Sequence, residues 1–453
     1  MSDSSYPSLQ LSNSRRQILR MALPISLAIL IPQLNFVINN IFLGHYLDDS
    51  LALAVAGITG VYYLIFAAIG YGLNNGLQTL IARRAGENRP DEIGKLFNQG
   101  VWIGLGLALG GILITYTLTP YFFSLIIQDQ QVLHKAVSFM QIRIWGLLFL
   151  YIYQLRNALL VGTNQSRYLV AGTVAETASN ILLDYVLIYG TAGFPELGFQ
   201  GAAYASVIAE FIGMFVIYLV IRQKGIARRF ELFASWTYSP KHIKSILSVS
   251  APLMFQHAIS IISFQYFFLL IEHHGAMAMK ISNIMRNIFG VFGCLSWAFA
   301  STTNAMVSNL IGQGKQDQVI SLLKKIVQLS SGSIFLITVL LNIFPEAFLS
   351  LFGQDEGFTA AALPVLRIVT VALLMMSVST IMLNMVTATG NTRITFYIEV
   401  IAVVLYCLYI YIVSELFFLP ITYSWMSEWL YWICLFTPSF LYVRSGHWKN
   451  KKI

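Results

Sequence analysis

The sequence predicts an all-α integral membrane protein: twelve transmembrane helices in two pseudo-symmetric six-helix bundles. Three observations predict it. Hydrophobic residues make up 57% of the 453-residue chain and charged residues 11%, against roughly 25% charge in a soluble domain; mean hydropathy is +0.69. Apolar runs long enough to cross a hydrocarbon core of about 30 Å recur along the chain. The second half repeats the first at a shift of 226 residues: the run 78–91 aligns with 304–317, setting Gly86 on Gly312, Asp91 on Asp317 and Leu96 on Leu322 without a gap. Two like bundles of this kind usually place a ligand path along their interface.

The first span, near 18–44, follows a polar tail with Arg15, Arg16 and Arg20 and has no small-residue cleavage site, so it reads as a retained helix. It carries Pro24 near its start and the amides Asn35, Asn39 and Asn40. The second, 52–82, is extra long, as is its repeat partner 278–310. The third covers 95–119. The fourth, 133–160, brings Arg143, Gln154, Arg156 and Asn157 into apolar surroundings; Arg156 either pairs with a carboxylate or snorkels to the near face. The fifth spans 168–190 and the sixth 201–222, opening on the small residues Gly201, Ala202 and Ala203, with Ser206 close behind. The stretch 225–244 is read as a cytoplasmic linker between a bundle of residues 1–224 and one of 245–453. Spans near 246–272, 278–310, 325–347, 361–388, 394–416 and 420–443 complete the second bundle. Pro252 answers Pro24, two residues off the repeat register. Arg143 and Arg367 head matched runs that end at turns followed by Arg167 and Arg393.

Loop charge orients the spans. Lys and Arg fall in the amino tail, the even loops and the carboxyl tail, while the odd loops carry acids such as Asp129, Glu196 and Glu272. This alternation follows the positive-inside rule and sets both termini in the cytoplasm. The net charge of +8 is therefore mostly a topology signal, spread over separate loops, and not a nucleic-acid footprint. Cys294, Cys407 and Cys434 sit in apolar runs and make neither a disulfide framework nor a metal site.

Ionisable residues at bilayer depth cost several kcal/mol unless paired or wet, so they point to function. In the fifth span Glu176, Asn180 and Asp184 recur every four residues and share one helical face. Their oxygens suit a hard cation or a proton; the rival reading is polar glue between helices. The second bundle offers Gln256, His257 and Ser260 on the seventh span and Glu399 on the eleventh, where structural pairing competes with function. Enzyme motifs are missing. Gly312-Gln313-Gly314-Lys315 lacks phosphate-loop spacing and has Gln after its Lys. No cofactor is implied, the chain is not expected to be an enzyme, and any work it does must draw on an ion gradient.

The tandem six-span repeats, the early Met-Ala-Leu-Pro-Ile run (21–25), Gly70-Tyr71-Gly72 leading to Ala85-Gly86, Asn180 with Asp184, and the run Gly201 to Ser206 together resemble the MATE family of multidrug and toxic compound extrusion transporters, within the wider group that includes lipid-linked saccharide flippases. The likeness covers roughly residues 15–448. It implies a monomer in the bacterial inner membrane that exports small organic cations or amphipaths by alternating access, in exchange for Na+ or H+. It places a cation pocket in the first bundle at Asp184, Asn180, Asn157 and Ser206, with Na+ taken at Asp184 and Asn180. The family's acid on the first span falls at Asn39, five residues before Gly44, so an amide stands where a carboxylate is common; a further acid on the seventh span of one branch falls near Ser260 and is also missing. An amide ligates Na+ but carries no proton near neutral pH, so either Asp184, helped by Glu176, carries the coupling alone, with Asn39, Asn180, Asn157 and Ser206 completing a Na+ shell, or the coupling has weakened or moved. The alternative is a flippase for a lipid-linked saccharide, which wants a broad basic cavity.

Overall fold

The computed structural model describes residues 8–46, 50–191, 193–233, 238–349 and 356–450; the side chains of 36–46, 50–54, 56, 126, 356 and 450 lie outside the described set. In chain order the α-helices are α1 (Arg15–Tyr46), α2 (Ser50–Gly86), α3 (Pro90–Thr117), α4 (Thr119–Ile126), α5 (Gln130–Arg143), α6 (Gly146–Gly162), α7 (Leu169–Tyr189), α8 (Gly198–Gln223), α9 (Ile226–Arg229), α10 (Pro240–Glu272), α11 (Ala276–Gly312), α12 (Val319–Ile343), α13 (Pro345–Leu349), α14 (Glu356–Ala388), α15 (Thr392–Tyr411), α16 (Ile421–Trp425) and α17 (Ser427–Ser445). Helices stand at every one of the twelve expected spans, and no strand occurs among the described residues.

Local sequence explains the helix ends. Pro90 opens α3 with its fixed φ, and Asp91 and Glu92 follow in the first turn, where the positive end of the helix dipole favours acids. The Asp129 carboxylate caps α5, accepting from the N–H groups of Gln131 (2.7 Å) and Val132 (3.2 Å). Gly190, at φ +66°, closes α7 in the left-handed conformation that a side chain resists. Nine described helices are long and apolar enough to cross a membrane, and α5 with α6 makes a tenth if taken as one span bent by 44°. The expected fourth span, 133–160, is that bent pair. The expected fifth, α7, holds two acids and an amide. The expected twelfth is broken between α16 and α17.

The chain divides into two compact units. One comprises Leu27–Ala85 and Arg89–Met254; the other comprises Met1–Ser26, Gly86–Asn88 and Phe255–Ile453. The division falls inside α1 and α10. The expected linker 225–244 lies docked within the first of these units: Ile226 and Phe230 are buried, and Gly94 of α3 leaves room for the Phe230 carbonyl.

In the first unit Tyr63, Ala67, Ala108, Met140, Leu147 and Tyr151 form an apolar core, and the Tyr151 hydroxyl donates to the Phe66 carbonyl (2.7 Å). In the second, Phe267, Met285, Val365, Ala402, Trp425 and Trp432 do so, with the Trp425 indole N–H donating to Ser282 Oγ (3.0 Å). Each large ring thus satisfies its polar atom locally, as burial in an apolar medium requires.

The tightest element pair for the site is α7 on α8. Gly201, Ala205, Ala209 and Gly213 recur every four residues on α8 and are all buried. A Cβ on Gly201 would stand 2.6 Å from the Leu187 carbonyl oxygen, and one on Gly213 would stand 2.8 Å from Glu176 Cβ. Small residues at this spacing let two backbones approach closely.

Candidate functional site

The close approaches fix the register of α7 and α8. Gly213 of α8 meets Glu176 of α7, Ile217 meets Gly172, and Gly201 meets Leu187 and Ile188. The helices run antiparallel at a constant offset, which sets Ala209 opposite Asn180 and Ala205 opposite Asp184. The acid–amide–acid ladder read from the sequence therefore lies along the small-residue ridge of α8. Asp184 and Asn180 are 2% and 5% exposed, and the Asn35 amide of α1 donates to Asn180 Oδ1 at 2.7 Å. Ser206 follows Ala205 and so stands beside the level of Asp184. Glu176, half-buried, sits two turns further along α7 against Gly213. Asn39 lies outside the described side chains.

Asn157 does not join Asp184. The Tyr153 ring of α6 packs on Gly172 and its hydroxyl bonds Thr173 Oγ1 at 2.8 Å. Gly172 is twelve residues, about 18 Å, from Asp184 at a rise of about 1.5 Å per residue, and Asn157 is one turn beyond Tyr153, so it stands on the order of 20 Å from Asp184 along the helix axis. Its Oδ1 is buried without a hydrogen-bond partner among the described residues. It is a separate polar point in the same unit.

Sequence reading missed Glu210. This carboxylate, one residue past Ala209 on α8, takes a bidentate ion pair from Arg143 at the end of α5: Nη1 to Oε2 at 3.0 Å and Nη2 to Oε1 at 2.6 Å. The Tyr63 hydroxyl of α2 donates to Oε1 (2.9 Å), and the Arg143 guanidinium lies 3.6 Å over the Tyr63 ring. Gly146 makes the space, since a Cβ there would collide with both partners. The fork-to-carboxylate geometry is the strong form of this interaction. Arg143 is also near enough to Asp184 and Glu176 to act on both electrostatically. Arg156 is buried, donates to the Met214 carbonyl of α8 and lies 5.5 Å from the Tyr218 ring centroid, so of the two readings offered for it, carboxylate pairing or snorkelling, the structure shows neither.

In the other unit the three expected residues do meet. Gln256 Nε2 of α10 donates to Glu399 Oε2 of α15 at 3.1 Å, the Tyr431 hydroxyl of α17 donates to Glu399 Oε1, and Ser260 Oγ lies 3.3 Å from that hydroxyl. A second acid that the sequence reading passed over, Glu428, accepts from the Tyr406 hydroxyl (3.3 Å) and the Trp432 indole (3.1 Å). Both carboxylates are at most 5% exposed, and an amide, two tyrosine hydroxyls and an indole, all neutral, donate to them. Among the described residues no group of three or more His, Cys, Asp or Glu is placed to hold a metal ion; a cation at Asp184 would draw on amide and hydroxyl oxygens.

Comparison with known proteins gives a consistent picture. The MatE family model matches residues 24–186 and 252–412, one match in each repeat. A probable multidrug resistance protein NorM of Thermotoga maritima is 22% identical over 454 residues, covering 99% of this chain and 96% of its own. A protein of the same name from Synechocystis sp. is 27% identical over 240 residues, about half of each chain (52% and 51%). Among solved structures, a MATE protein in complex with MaL6 superposes with a TM-score of 0.87 at 16% identity, covering 98% of both chains. An outward-facing multidrug resistance MATE transporter of the MOP superfamily gives 0.85 at 17% identity, again over 98% of both chains.

Proposed function

Because this chain belongs to the MatE family, we propose that it is a cation-coupled antiporter of the bacterial inner membrane, with both termini cytoplasmic, that exports small organic cations or amphipathic drugs by alternating access. The observation that carries this reading is Asp184: a carboxylate 2% exposed, on the face of α7 that meets the small-residue ridge of α8, with Asn180 one turn away. A buried acid at bilayer depth is expensive unless it is paired, wet or able to take up a proton or a cation, and such acids mark ion pathways. Asp184 is the coupling acid. Asn180, Asn35 and Ser206 supply neutral oxygens beside it, a shell suited to Na+; a proton needs only the carboxylate. Glu176 is a second acid on the same path, and Asn157 a polar point further along it.

Coupling follows from differential affinity. The ion must bind one access state better than the other, and the exported molecule must favour the reverse; a ligand with equal affinity for both shifts nothing. Glu399, Gln256 and Ser260 form the matching polar cluster of the second repeat and are assigned a supporting part.

The flippase alternative asks for unoccupied cationic side chains to hold a diphosphate. Arg143 is engaged by Glu210, and Arg156 by the Met214 carbonyl. The antiporter reading is therefore preferred. It is tested by dye retention in an efflux-deficient bacterial host, comparing wild type with Asp184→Asn, each with and without external Na+. Wild type should lower dye retention and Asp184→Asn should not. Loss of wild-type protection without Na+ identifies Na+ as the ion, and equal protection by both proteins removes Asp184 from the coupling site.

A further inference from the structure

Away from this site, side chains hold the two segments of chain that lead into α1 and into α10. The first, residues 8–14, precedes α1 and belongs to the unit that contains Phe255–Ile453. Leu9 and Leu11 are 4% and 3% exposed. Asn309, near the end of α11, pairs with this segment as a neighbouring strand would: its Nδ2 donates to the Leu9 carbonyl (2.9 Å), and the Leu11 N–H donates to its Oδ1 (3.0 Å). Gln313 Nε2 adds a bond to the Leu11 carbonyl (2.9 Å), and Lys325 Nζ of α12 donates to the Asn13 carbonyl (2.8 Å) and its Oδ1 (3.0 Å).

The segment before α10 has a counterpart in the other unit. The Phe233 N–H donates to Asn98 Oδ1 (3.1 Å) and the Ser239 N–H to Gln99 Oε1 (3.1 Å), both on α3. Asn13 and Ser239 are 226 residues apart, and so are Gln99 and Lys325. One contact thus occurs twice under the repeat shift, made by an amide acceptor in one copy and an ammonium donor in the other. The chemistry differs while the position is kept, which identifies the position as the property that matters. Each strap precedes the first helix of one repeat and is bound by the third helix of the other, and the first strap is held by the end of α11 as well. Correspondingly, α1 passes from one unit to the other after Ser26 and α10 after Met254, each two residues beyond its proline, Pro24 or Pro252.

We propose that the two straps are anchors of the transport cycle. Asn309 and Lys325 for one, and Asn98 and Gln99 for the other, are positioning residues: they keep the starts of α1 and α10 with one unit while the rest of each helix follows the other. The change between access states is then taken up inside α1 and α10 and not in the connection 225–244. This rests on the transporter reading above. Straps that merely tidy loose chain would cost stability when cut and leave turnover alone.

The test uses the full chain in proteoliposomes with a fluorescent organic cation. Asn309→Ala with Lys325→Ala, and separately Asn98→Ala with Gln99→Ala, should bind the dye with unchanged Kd and transport it at least about fivefold more slowly. In a chain with Cys294, Cys407 and Cys434 replaced by Ala, Asn13→Cys and Lys325→Cys are then added to Asn309→Ala and joined by a short bifunctional thiol reagent; transport should return to within about twofold of wild type. Folded strap variants that transport at the wild-type rate overturn the proposal. So does a crosslink that stops transport, because the strap would then have to release. Should the paired variants fail to fold, the same crosslink in a chain that keeps Asn309 decides alone, and it must leave transport running. A wild-type chain that moves no probe overturns the transport reading itself.

Discussion

At the scale of single residues the site holds two kinds of buried charge. Asp184 lies one turn from Asn180, which accepts from the Asn35 amide, whereas Glu210 is held by the Arg143 fork and the Tyr63 hydroxyl. Breaking a buried pair leaves an uncompensated charge, while replacing both partners by apolar groups is often neutral. Arg143→Met should therefore destabilise the protein by about 3–5 kcal/mol, and Arg143→Met with Glu210→Leu should recover most of that loss, read as the melting temperature in detergent. A double variant no more stable than the single one would show that the pair is not the energetic unit. The ladder on α7 was legible because four-residue spacing is a local signal. Glu210 was not, because its meaning comes from Arg143, 67 residues away, and spacing within one helix says nothing of a partner on another. The same holds for Glu428, whose Tyr406 donor lies on α15. The distance of Asn157 from Asp184 was also hidden, since a sequence gives residues on two helices but not their relative height.

At the scale of elements the α7–α8 contact depends on absent side chains. Gly201 leaves no room for a Cβ beside the Leu187 carbonyl, whereas Gly106 of α3 has nothing within 4 Å of the same added atom. Overpacking a close helix contact costs about 1–3 kcal/mol or more, and an open helical site tolerates the change. Gly201→Leu should lower the melting temperature and impair transport, and Gly106→Leu should do neither; equal effects would refute the packing argument. Apolar run length placed helix at each expected span, because length and hydropathy are properties of one segment. The bend of 44° between α5 and α6 had no such signal: no proline stands there, and the break at Ile144 and Trp145 accompanies the paired Arg143 and the crowded Gly146. The break between α16 and α17 was likewise not legible.

At the scale of the whole molecule the repeat is close in architecture and unequal in charge. Arg143 and Arg367 head matched runs, yet Arg143 is half-buried and paired with Glu210 while Arg367 is exposed. The second repeat instead leaves Glu399 and Glu428 with neutral donors. Duplication thus kept the frame and let the polar interior diverge. The frame was readable from the register of Gly86 with Gly312. The exchange of α1 and α10 between units was not, because a shift in sequence does not say which copy a segment packs on. The account as a whole stands on ion movement coupled at Asp184. The most direct measurement loads proteoliposomes with radiolabelled Na+, or with a pH dye, and adds an organic cation on the opposite side. Wild type should release the ion in exchange for the organic cation, and Asp184→Asn should bind that cation yet release neither Na+ nor protons. Ion release by Asp184→Asn at the wild-type rate would contradict the account.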